Sequence, residues 1–289
     1  MKFPIVGTTQ LLGVIGDPIG HTLSPVIHNR ALAALGLDYV YLPFAVKPAD
    51  MAVAIAGLGA LNVQGFNVTI PHKQSVIAHL GEITPLAAQV GAVNTVWPTE
   101  KGWAGTNTDV QGFLAPLRSL SQSWQETQVM ILGYGGAARA VVAACDQLGC
   151  QGMTIAGRNP EKLAAFGQSW PQLKAPLKTI LWEHLTPNLS EAALVVNTTP
   201  IGMAPHGDQS PLSQEQLAQL ASTAIVYDLI YKPRPTRLLA HAHAQGLHTI
   251  DGLEMLIHQG AIALEQWIGQ PPDITVMINA AQEFLGLNC

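Results

Sequence analysis

A glycine-rich pattern in the middle of the chain has the spacing of a dinucleotide-binding turn. Gly133, Gly135 and Ala138 follow a short apolar run and precede an apolar stretch of helical length. In such a turn the first glycine allows a tight bend and the second lets the backbone approach a pyrophosphate, while a small third residue lets the helix pack closely on the sheet. The free amides of the helix N-terminus then hold the phosphates. The pattern predicts a dinucleotide site, and a glycine turn without a ligand is the alternative.

The residues about 20 positions further along indicate which dinucleotide to expect, because NAD-binding units carry Asp or Glu there for the ribose 2′-hydroxyl. This chain instead has Gly157, Arg158 and Asn159, followed one turn later by Lys162. Arg158 could pair bidentately with a 2′-phosphate, and Lys162 would add a point charge. We therefore predict NADP rather than NAD. The competing interpretation of Arg158 is an ordinary surface arginine.

Two hydroxyl residues flank a predicted helix start near the N-terminus. Thr22 and Ser24 precede Pro25, a residue type favoured at the first position of a helix. Ser24 is therefore expected to be the N-cap of that helix. Hydroxyl groups at the positive end of a helix also suit a small carboxylate. The sequence thus predicts a structural role for Ser24 and an anion site beside it.

A second group of polar residues follows the strand predicted at 64–70. Asn67 and Thr69 are two positions apart, so their side chains point to the same face of that strand, and Lys73 lies just beyond its end. Asn94 and Asp109 belong to further polar clusters. An ammonium group near a reacting ketone could stabilise the negative charge that develops on its oxygen and then donate a proton. Taken singly, a lysine such as Lys73 is more often a solvated surface residue, and a carboxylate such as Asp109 is more often a helix-start residue.

Short apolar runs alternate with segments of helical period almost throughout, which is typical of βα repetition. Strands are predicted at 11–16, 39–44, 64–70, 92–97, 129–132, 153–156, 195–197 and 225–229. Helical segments are predicted from 24, near 49–58 and 73–80, after the glycine turn to about 148, from 160, and at 253–268 and 273–285. The sequence therefore predicts an α/β protein with a buried parallel sheet.

The composition excludes several classes of protein. Of 289 residues 48% are apolar and 11% are charged, so the chain can bury enough surface to fold. No apolar run reaches the roughly 18 residues of a spanning helix, and no basic block could follow a nucleic-acid backbone at a net charge of −5. Cys145, Cys150 and Cys289 predict free thiols in a reducing compartment. The N-terminus lacks a signal-peptide core. We expect a cytoplasmic protein, a monomer or homodimer, with no membrane or nucleic-acid partner and, given the spacing of its histidines, no metal.

Taken together, seven motifs resemble the shikimate dehydrogenase family, in order over nearly the whole chain. They are 16–25 (GDPIGHTLSP), 67–73 (NVTIPHK), 91–95 (GAVNT), 107–109 (NTD), 133–137 (GYGGA), 227–233 (YDLIYKP) and 251–259 (DGLEMLIHQ).

The resemblance implies an α/β fold of two domains with the active site in the cleft between them. Residues 1–108 would form an N-terminal α/β substrate domain, completed by C-terminal helices at 252–289. Residues 109–251 would form a doubly wound, Rossmann-type NADP-binding domain. The implied reaction is the reversible, NADP-dependent reduction of 3-dehydroshikimate to shikimate, on the route to aromatic amino acids.

By the same resemblance Lys73 and Asp109 are the catalytic pair. The residues implied to bind the substrate are Thr22, Ser24, Asn67, Thr69, Asn94, Asp109, Tyr231 and Gln259. Those implied to bind the cofactor are Gly133, Gly135, Gly136, Ala137, Arg158, Asn159, Lys162, Leu229 and Gly252. Two alternatives stay open, namely a dehydrogenase that also uses quinate, perhaps with NAD, and a catalytically silent NADP-binding sensor.

Four positions depart from the usual family pattern without touching the catalytic pair. Thr22 stands where serine is more usual, Tyr134 where alanine is common, Gly157 where asparagine is usual and Glu254 where glycine is frequent. The tyrosine side chain is expected to point away from the phosphates. Loss of the asparagine is expected to weaken the adenosine side of the cofactor site.

Overall fold

The computed structural model describes residues 4–170 and 172–287 and divides the chain into two compact units. Unit 1 comprises Met1–Gly112 and Leu256–Cys289, and unit 2 comprises Phe113–Met255. The junctions predicted from sequence, 108/109 and 251/252, lie four residues before those of the structure. Each observed junction falls inside a continuous helix, Asp109–Arg118 and Gly252–Ile268 respectively.

Unit 1 contains a six-stranded mixed sheet in the order β2-β1-β3-β5-β6-β4. Its strands are β1 (Gln10–Gly16), β2 (Tyr39–Ala45), β3 (Gly65–Val68), β4 (Glu82–Ile83), β5 (Thr95–Thr99) and β6 (Gly102–Thr106), and its helices include α1 (Ser24–Ala34), α2 (Met51–Ala60) and α3 (Pro85–Val90). The strands β2, β1 and β3 are parallel, whereas β5 runs antiparallel to β3 and to β6. Helix α4 (Asp109–Arg118) follows β6.

Several unit 1 elements differ from the sequence prediction. The strand predicted at 64–70 ends at Val68, ahead of Pro71, which has no amide hydrogen to extend a ladder. The strand predicted at 92–97 is Thr95–Thr99, and the helical segment predicted at 73–80 is only a 3₁₀ helix, Ser75–His79. The early end of β3 leaves the following residues in a turn, and Lys73 lies on that turn.

The prediction that Ser24 is the N-cap of α1 is wrong. Ser24 is the first residue of the helix itself, the preceding Leu23 already has helical backbone angles (φ −91°, ψ −6°), and no side chain caps the helix. The Ser24 hydroxyl is therefore not used by its own helix and can bond elsewhere.

Unit 2 is a parallel sheet of six strands in the order β12-β11-β10-β7-β8-β9. Its strands are β7 (Gln128–Leu132), β8 (Gly152–Gly157), β9 (Leu177–Leu181), β10 (Leu194–Asn197), β11 (Ile225–Asp228) and β12 (His248–Ile250), and its helices include α5 (Gly136–Leu148), α6 (Pro160–Gln168), α7 (Gln214–Leu217) and α8 (Arg237–Ala244). The chain order reverses between β7 and β10. Doubly wound sheets bind ligands at the carboxyl ends of the strands beside such a switch point.

The last two helices are α9 (Gly252–Ile268) and α10 (Ile274–Leu285). Helix α10 packs on α1, where Arg30 and Glu283 form an exposed ion pair of 2.7 Å. Trp267 of α9 donates from its indole nitrogen to the carbonyl of Val96 at 2.9 Å. The tail helices therefore belong to the packing of unit 1, although sequence periodicity alone did not assign them.

Two further expectations concern the cysteines and membranes. Cys145 and Cys150 are buried and carry free thiols, whereas Cys289 lies outside the described residues. None of the helices within residues 4–170 and 172–287 is long and apolar enough to cross a membrane.

Candidate active site

Lys73 and Asp109 meet in an ion pair although they are 36 positions apart in sequence. The Lys73 Nζ atom lies 2.6 Å from Asp109 Oδ2, and the two side chains are 15% and 5% exposed. The solvated-lysine alternative does not fit this burial. The pair combines a proton donor with a carboxylate that holds it in place, in a setting where water screens the charges only weakly.

The turn that carries Lys73 is fixed by its neighbours. The buried ring of His72 donates from Nε2 to the carbonyl of Val46 at 2.6 Å, and the carbonyl of Lys73 accepts from the amide of Val93 at 2.7 Å. Sequence analysis assigned no individual role to His72 and, from the spacing of the histidines, expected no metal. In the part of the chain that the structure describes, no group of three or more histidine, cysteine or carboxylate side chains could hold a metal ion.

Asn94 holds the second carboxylate oxygen of Asp109. Its Nδ2 donates to Asp109 Oδ1 at 2.9 Å, to Thr108 Oγ1 at 3.0 Å and to Gln259 Oε1 at 3.2 Å. The amide of Thr108 donates to Asn94 Oδ1 at 2.7 Å, which fixes the orientation of the Asn94 side chain. With one oxygen bonded to Lys73 and the other to Asn94, the Asp109 carboxylate cannot rotate without losing both bonds.

The remaining predicted substrate residues of unit 1 lie at the start of α1 and at the end of β3. Thr22 Oγ1 donates to Ser24 Oγ at 3.2 Å and accepts from the Ser24 amide at 3.2 Å. Asn67 is buried, and its Nδ2 donates to the Asn94 carbonyl at 3.0 Å and to Thr95 Oγ1 at 3.2 Å. Thr69 is half-buried beyond the end of β3.

Tyr41 is a member of this network that sequence analysis missed. Its hydroxyl donates to Asn67 Oδ1 at 2.7 Å. Burial raises the pKa of Tyr41 well above its usual range, and a hydrogen bond with the Ser24 side chain partly offsets that rise. The only sequence signal was a tyrosine in an otherwise apolar strand, which is unremarkable by itself.

The glycine turn of unit 2 fits a dinucleotide. Gly133 has a left-handed backbone (φ +103°), and a Cβ atom there would lie 2.8 Å from Thr198 Oγ1, so no other residue type suits this position. Gly135 precedes α5 without any side-chain cap, and a Cβ atom there would meet nothing within 4 Å. The first turn, which begins at Gly136 and Ala137, thus has no side-chain cap and has open space beside Gly135, as a pyrophosphate requires.

The cations predicted to recognise a 2′-phosphate follow β8. Arg158 and Lys162 are both exposed. Asn159 Oδ1 accepts from the Lys162 amide at 2.9 Å and thereby caps α6, so its carbonyl oxygen has a structural role. An exposed guanidinium and an exposed ammonium at the carboxyl end of a parallel strand suit an anionic group at that edge.

The two unusual residues of the cofactor side, Tyr134 and Gly157, are in contact. A Cβ atom on Gly157 would lie 2.4 Å from two ring carbons of Tyr134 and 3.0 Å from Leu163 Cδ2. The tyrosine ring thus occupies the space that a side chain at 157 would need. The two residues that depart from the usual family pattern therefore share one contact, in which the tyrosine ring requires glycine at 157.

The loop after β11 brings together two further predicted cofactor residues. A Cβ atom on Gly252 would lie 2.0 Å from the Leu229 carbonyl oxygen, so this approach requires glycine. Tyr231 on the same loop is half-buried.

Buried Asp228, also missed by sequence analysis, anchors this loop. Its Oδ1 accepts from Asn197 Nδ2 at 2.9 Å and from the Ile230 amide at 3.2 Å, and its Oδ2 accepts from Thr236 Oγ1 at 2.7 Å. Burial raises the pKa of Asp228 to about 6, although these bonds oppose the shift.

Two family models match the chain. The model described as the shikimate dehydrogenase substrate binding domain matches residues 14–96, and the one described as the shikimate 5′-dehydrogenase C-terminal domain matches residues 252–282.

Similar proteins match over almost the full length. The NADP(+) shikimate dehydrogenase of Thermosynechococcus vestitus is 62% identical over 282 residues, 98% of each chain. A solved shikimate dehydrogenase in complex with NADP+ is 36% identical, with a TM-score of 0.88 and 98% of each chain covered. The shikimate 5-dehydrogenase of Thermus thermophilus, solved with NADP(H) and shikimate, is 33% identical with a TM-score of 0.83, and the match covers 95% of this chain and 99% of that one. The predicted two-domain α/β architecture is confirmed.

Proposed function

The chain belongs to the shikimate dehydrogenase family, and from this premise we propose that it catalyses the reversible, NADP-dependent reduction of 3-dehydroshikimate to shikimate. The observation that carries the proposal is the Lys73–Asp109 ion pair at 2.6 Å, held from its other side by Asn94. A catalytically silent relative would not need an oriented ammonium and carboxylate in this position. The enzyme is thus an oxidoreductase acting on a secondary alcohol, in the pathway to aromatic amino acids.

The residues of unit 1 account for the proton chemistry. Reduction of a ketone develops negative charge on its oxygen, so an ammonium beside it lowers the barrier by charge stabilisation and by donating a proton. Lys73 fills that role, and Asp109 keeps the ammonium in one position. In the oxidative direction Lys73 accepts the proton of the substrate hydroxyl. Thr22 and Ser24 bind the substrate carboxylate, while Asn67, Thr69, Asn94 and Gln259 bind its ring hydroxyls. Tyr231 is the proposed additional contact at the carboxylate end.

The residues of unit 2 account for the choice of cofactor. NADPH, when bound, supplies the hydride. The amides at Gly135 and Gly136 hold its pyrophosphate, and Arg158 with Lys162 pairs with its 2′-phosphate. Leu229 and Gly252 border the nicotinamide. The absence of an acidic side chain at 156–159 supports NADP, because a carboxylate there would repel the phosphate.

We propose that the protein is cytoplasmic. The free thiols of Cys145 and Cys150 support a reducing compartment such as the cytoplasm. We propose a monomer or homodimer, which light scattering on the purified protein measures directly.

The test of the function is a steady-state comparison of shikimate and quinate, each with NADP+ and NAD+. We expect the highest kcat/KM with shikimate and NADP+. Equal rates with both acids would favour the mixed shikimate/quinate alternative, and equal rates with both cofactors would contradict the role of Arg158. Tight NADP+ binding without turnover of either acid would favour the sensor.

A further inference from the structure

Tyr41 is held by hydrogen bonds of both its backbone and its side chain. It lies on β2, the edge strand of the unit 1 sheet, and is completely buried. The Asn29 side chain pairs with both backbone groups of Tyr41, donating to its carbonyl at 2.9 Å and accepting from its amide at 2.8 Å. Asn29 therefore takes the place of a neighbouring strand at this one residue, and it lies on α1, the helix that starts at Ser24.

The ring of Tyr41 is also fixed. It stacks on His28 with centroids 4.2 Å apart at 13°, and Trp267 lies beside it at 6.1 Å and 41°. His28 is itself anchored, since its Nδ1 donates to the Ser24 carbonyl at 2.8 Å. With both ring and backbone fixed, the position of the Tyr41 hydroxyl is determined by the fold.

That hydroxyl holds a side chain proposed to bind the substrate. An amide oxygen can only accept, so the Tyr41 proton goes to Asn67 Oδ1, at 2.7 Å. The Asn67 amide nitrogen donates to the Asn94 carbonyl at 3.0 Å and to Thr95 Oγ1 at 3.2 Å. The orientation of the Asn67 side chain is thus fixed from both of its polar atoms, and Tyr41 fixes the oxygen.

We propose that Tyr41 is a positioning residue, which orients the Asn67 side chain so that it meets a ring hydroxyl of the substrate. The proposal rests on the proposed function. Tyr41 acts through Asn67 and does not touch the substrate. Its removal should weaken contacts that are made equally in the ground state and the transition state, and such a loss raises KM while leaving kcat.

The test is the Tyr41→Phe variant, which keeps the stacked ring and removes only the hydroxyl. The loss of one neutral hydrogen bond corresponds to a rise of about fivefold to tenfold in KM for shikimate. We expect kcat to stay within about twofold, because the reacting groups are untouched, and KM for NADP+ to stay unchanged. Unchanged KM for shikimate, or an equal fall in kcat, would overturn the proposal.

Tyr227→Phe is the matched control. Tyr227 is also completely buried and stacks on Phe113 with centroids 4.8 Å apart at 9°, but its hydroxyl has no hydrogen-bond partner among the described residues. A general effect of removing a buried phenol hydroxyl would appear in both variants. A rise in KM for shikimate of the same size in Tyr227→Phe would therefore count against the proposal.

A double-mutant cycle with Asn67→Ala tests the route of the effect. If Tyr41 acts largely through Asn67, then Tyr41→Phe should raise KM by less than about twofold in the Asn67→Ala background. Fully additive effects would refute coupling through Asn67. Should Tyr41→Phe lack a cooperative melting transition, Asn29→Ala, which releases only the backbone of Tyr41, carries the test with a smaller rise expected. An unchanged KM there would refute the proposal.

The assay of the wild-type enzyme distinguishes a failure of the proposed function from a failure of the proposed role of Tyr41. No turnover of shikimate by the wild-type enzyme would refute the proposed function and this proposal with it. Turnover by the wild type with an unchanged KM in Tyr41→Phe would refute the role of Tyr41 alone.

Discussion

In unit 1 the candidate site is built from buried side chains that already bond one another, whereas in unit 2 it is built from backbone amides and exposed cations. Asp109, Asn94 and Asn67 each have protein partners on both polar atoms of their side chains. Gly135, by contrast, faces open space, and Arg158 is exposed. The first arrangement fixes the positions of the reacting groups, and the second leaves room for a large anionic ligand.

The two arrangements select their ligands by different physical means. A preformed network of paired side chains rejects a molecule that cannot replace the bonds it breaks, because buried polar groups are costly when left unpaired. A glycine turn with surface cations recognises a phosphate by charge and by close backbone approach. Substitutions should therefore act on chemistry and substrate binding in unit 1 and on cofactor choice in unit 2.

The largest effect is expected from Lys73→Ala. Loss of the proton donor should lower kcat by about 10³-fold, within the range for general acid–base groups, while the affinity for NADPH measured by fluorescence titration stays unchanged. Lys101→Ala is the control, because Lys101 is a surface lysine whose side chain is 78% exposed and lies 3.8 Å from a carboxylate. A kcat within tenfold of the wild type in Lys73→Ala would remove this lysine from the mechanism.

The next-largest effect is on the free energy of unfolding. Its pH dependence should differ between a buried carboxyl group of unit 2 and a buried imidazole of unit 1. The pKa of Asp228 rises to about 6 in the folded state, so ionisation destabilises the fold as pH rises from about 4 to 6. The penalty persists above pH 6 and is on the order of 3 kcal/mol. Asp228→Asn keeps the acceptor oxygen and cannot ionise. We expect its free energy of unfolding at pH 8, from urea titration, to exceed that of the wild type by about 1–3 kcal/mol.

His28 in unit 1 should show the opposite slope. Burial lowers the pKa of His28 to about 4, with hydrogen bonds to the backbone only partly opposing the shift. The unfolded chain therefore binds a proton that the fold does not, and stability is lost as pH falls from 6.5 to 4. His28→Asn should flatten this slope. For Asp228, parallel pH profiles of the unfolding free energy in Asp228→Asn and the wild type would contradict a raised pKa of this carboxyl group.

Cofactor recognition in unit 2 depends on the two exposed cations that follow β8. Arg158→Ala should weaken NADP+ by about 10- to 100-fold, the value of a charge-assisted pair, while NAD+ binding is nearly unchanged. Lys162→Ala should produce a smaller change in the same direction, since it contributes a point charge without the bidentate geometry. An equal loss of affinity for NADP+ and NAD+ in Arg158→Ala would show that Arg158 acts on folding instead.

The smallest effect is expected at the contact between Tyr134 and Gly157. Gly157→Ala places a Cβ atom 2.4 Å from the tyrosine ring, so the ring must move, at a cost of about 1 kcal/mol in unfolding free energy. The double variant Tyr134→Ala/Gly157→Ala should escape this particular clash. Gly57→Ala is the control, since a Cβ atom there meets nothing within 4 Å. If Gly157→Ala lowered the unfolding free energy equally in the wild-type and the Tyr134→Ala backgrounds, the tyrosine ring would not be the cause.

The α/β class, the order of most strands and helices, and the glycine turn with Arg158 after the next strand could all be predicted from the sequence. These features depend on local periodicity and on motifs within some 30 residues, and local backbone preferences suffice to express them. The family resemblance then supplied Lys73 and Asp109 as a pair, since neither residue was distinctive alone.

The contacts between distant positions follow from the folded structure alone. Local rules made Ser24 a cap, but its hydroxyl accepts from Thr22 instead. Tyr41 reaches Asn67 across 26 positions and Lys73 reaches Asp109 across 36. Such bonds form because the sheet brings separate strand ends together. A sequence pattern carries no record of which buried donor will meet which acceptor.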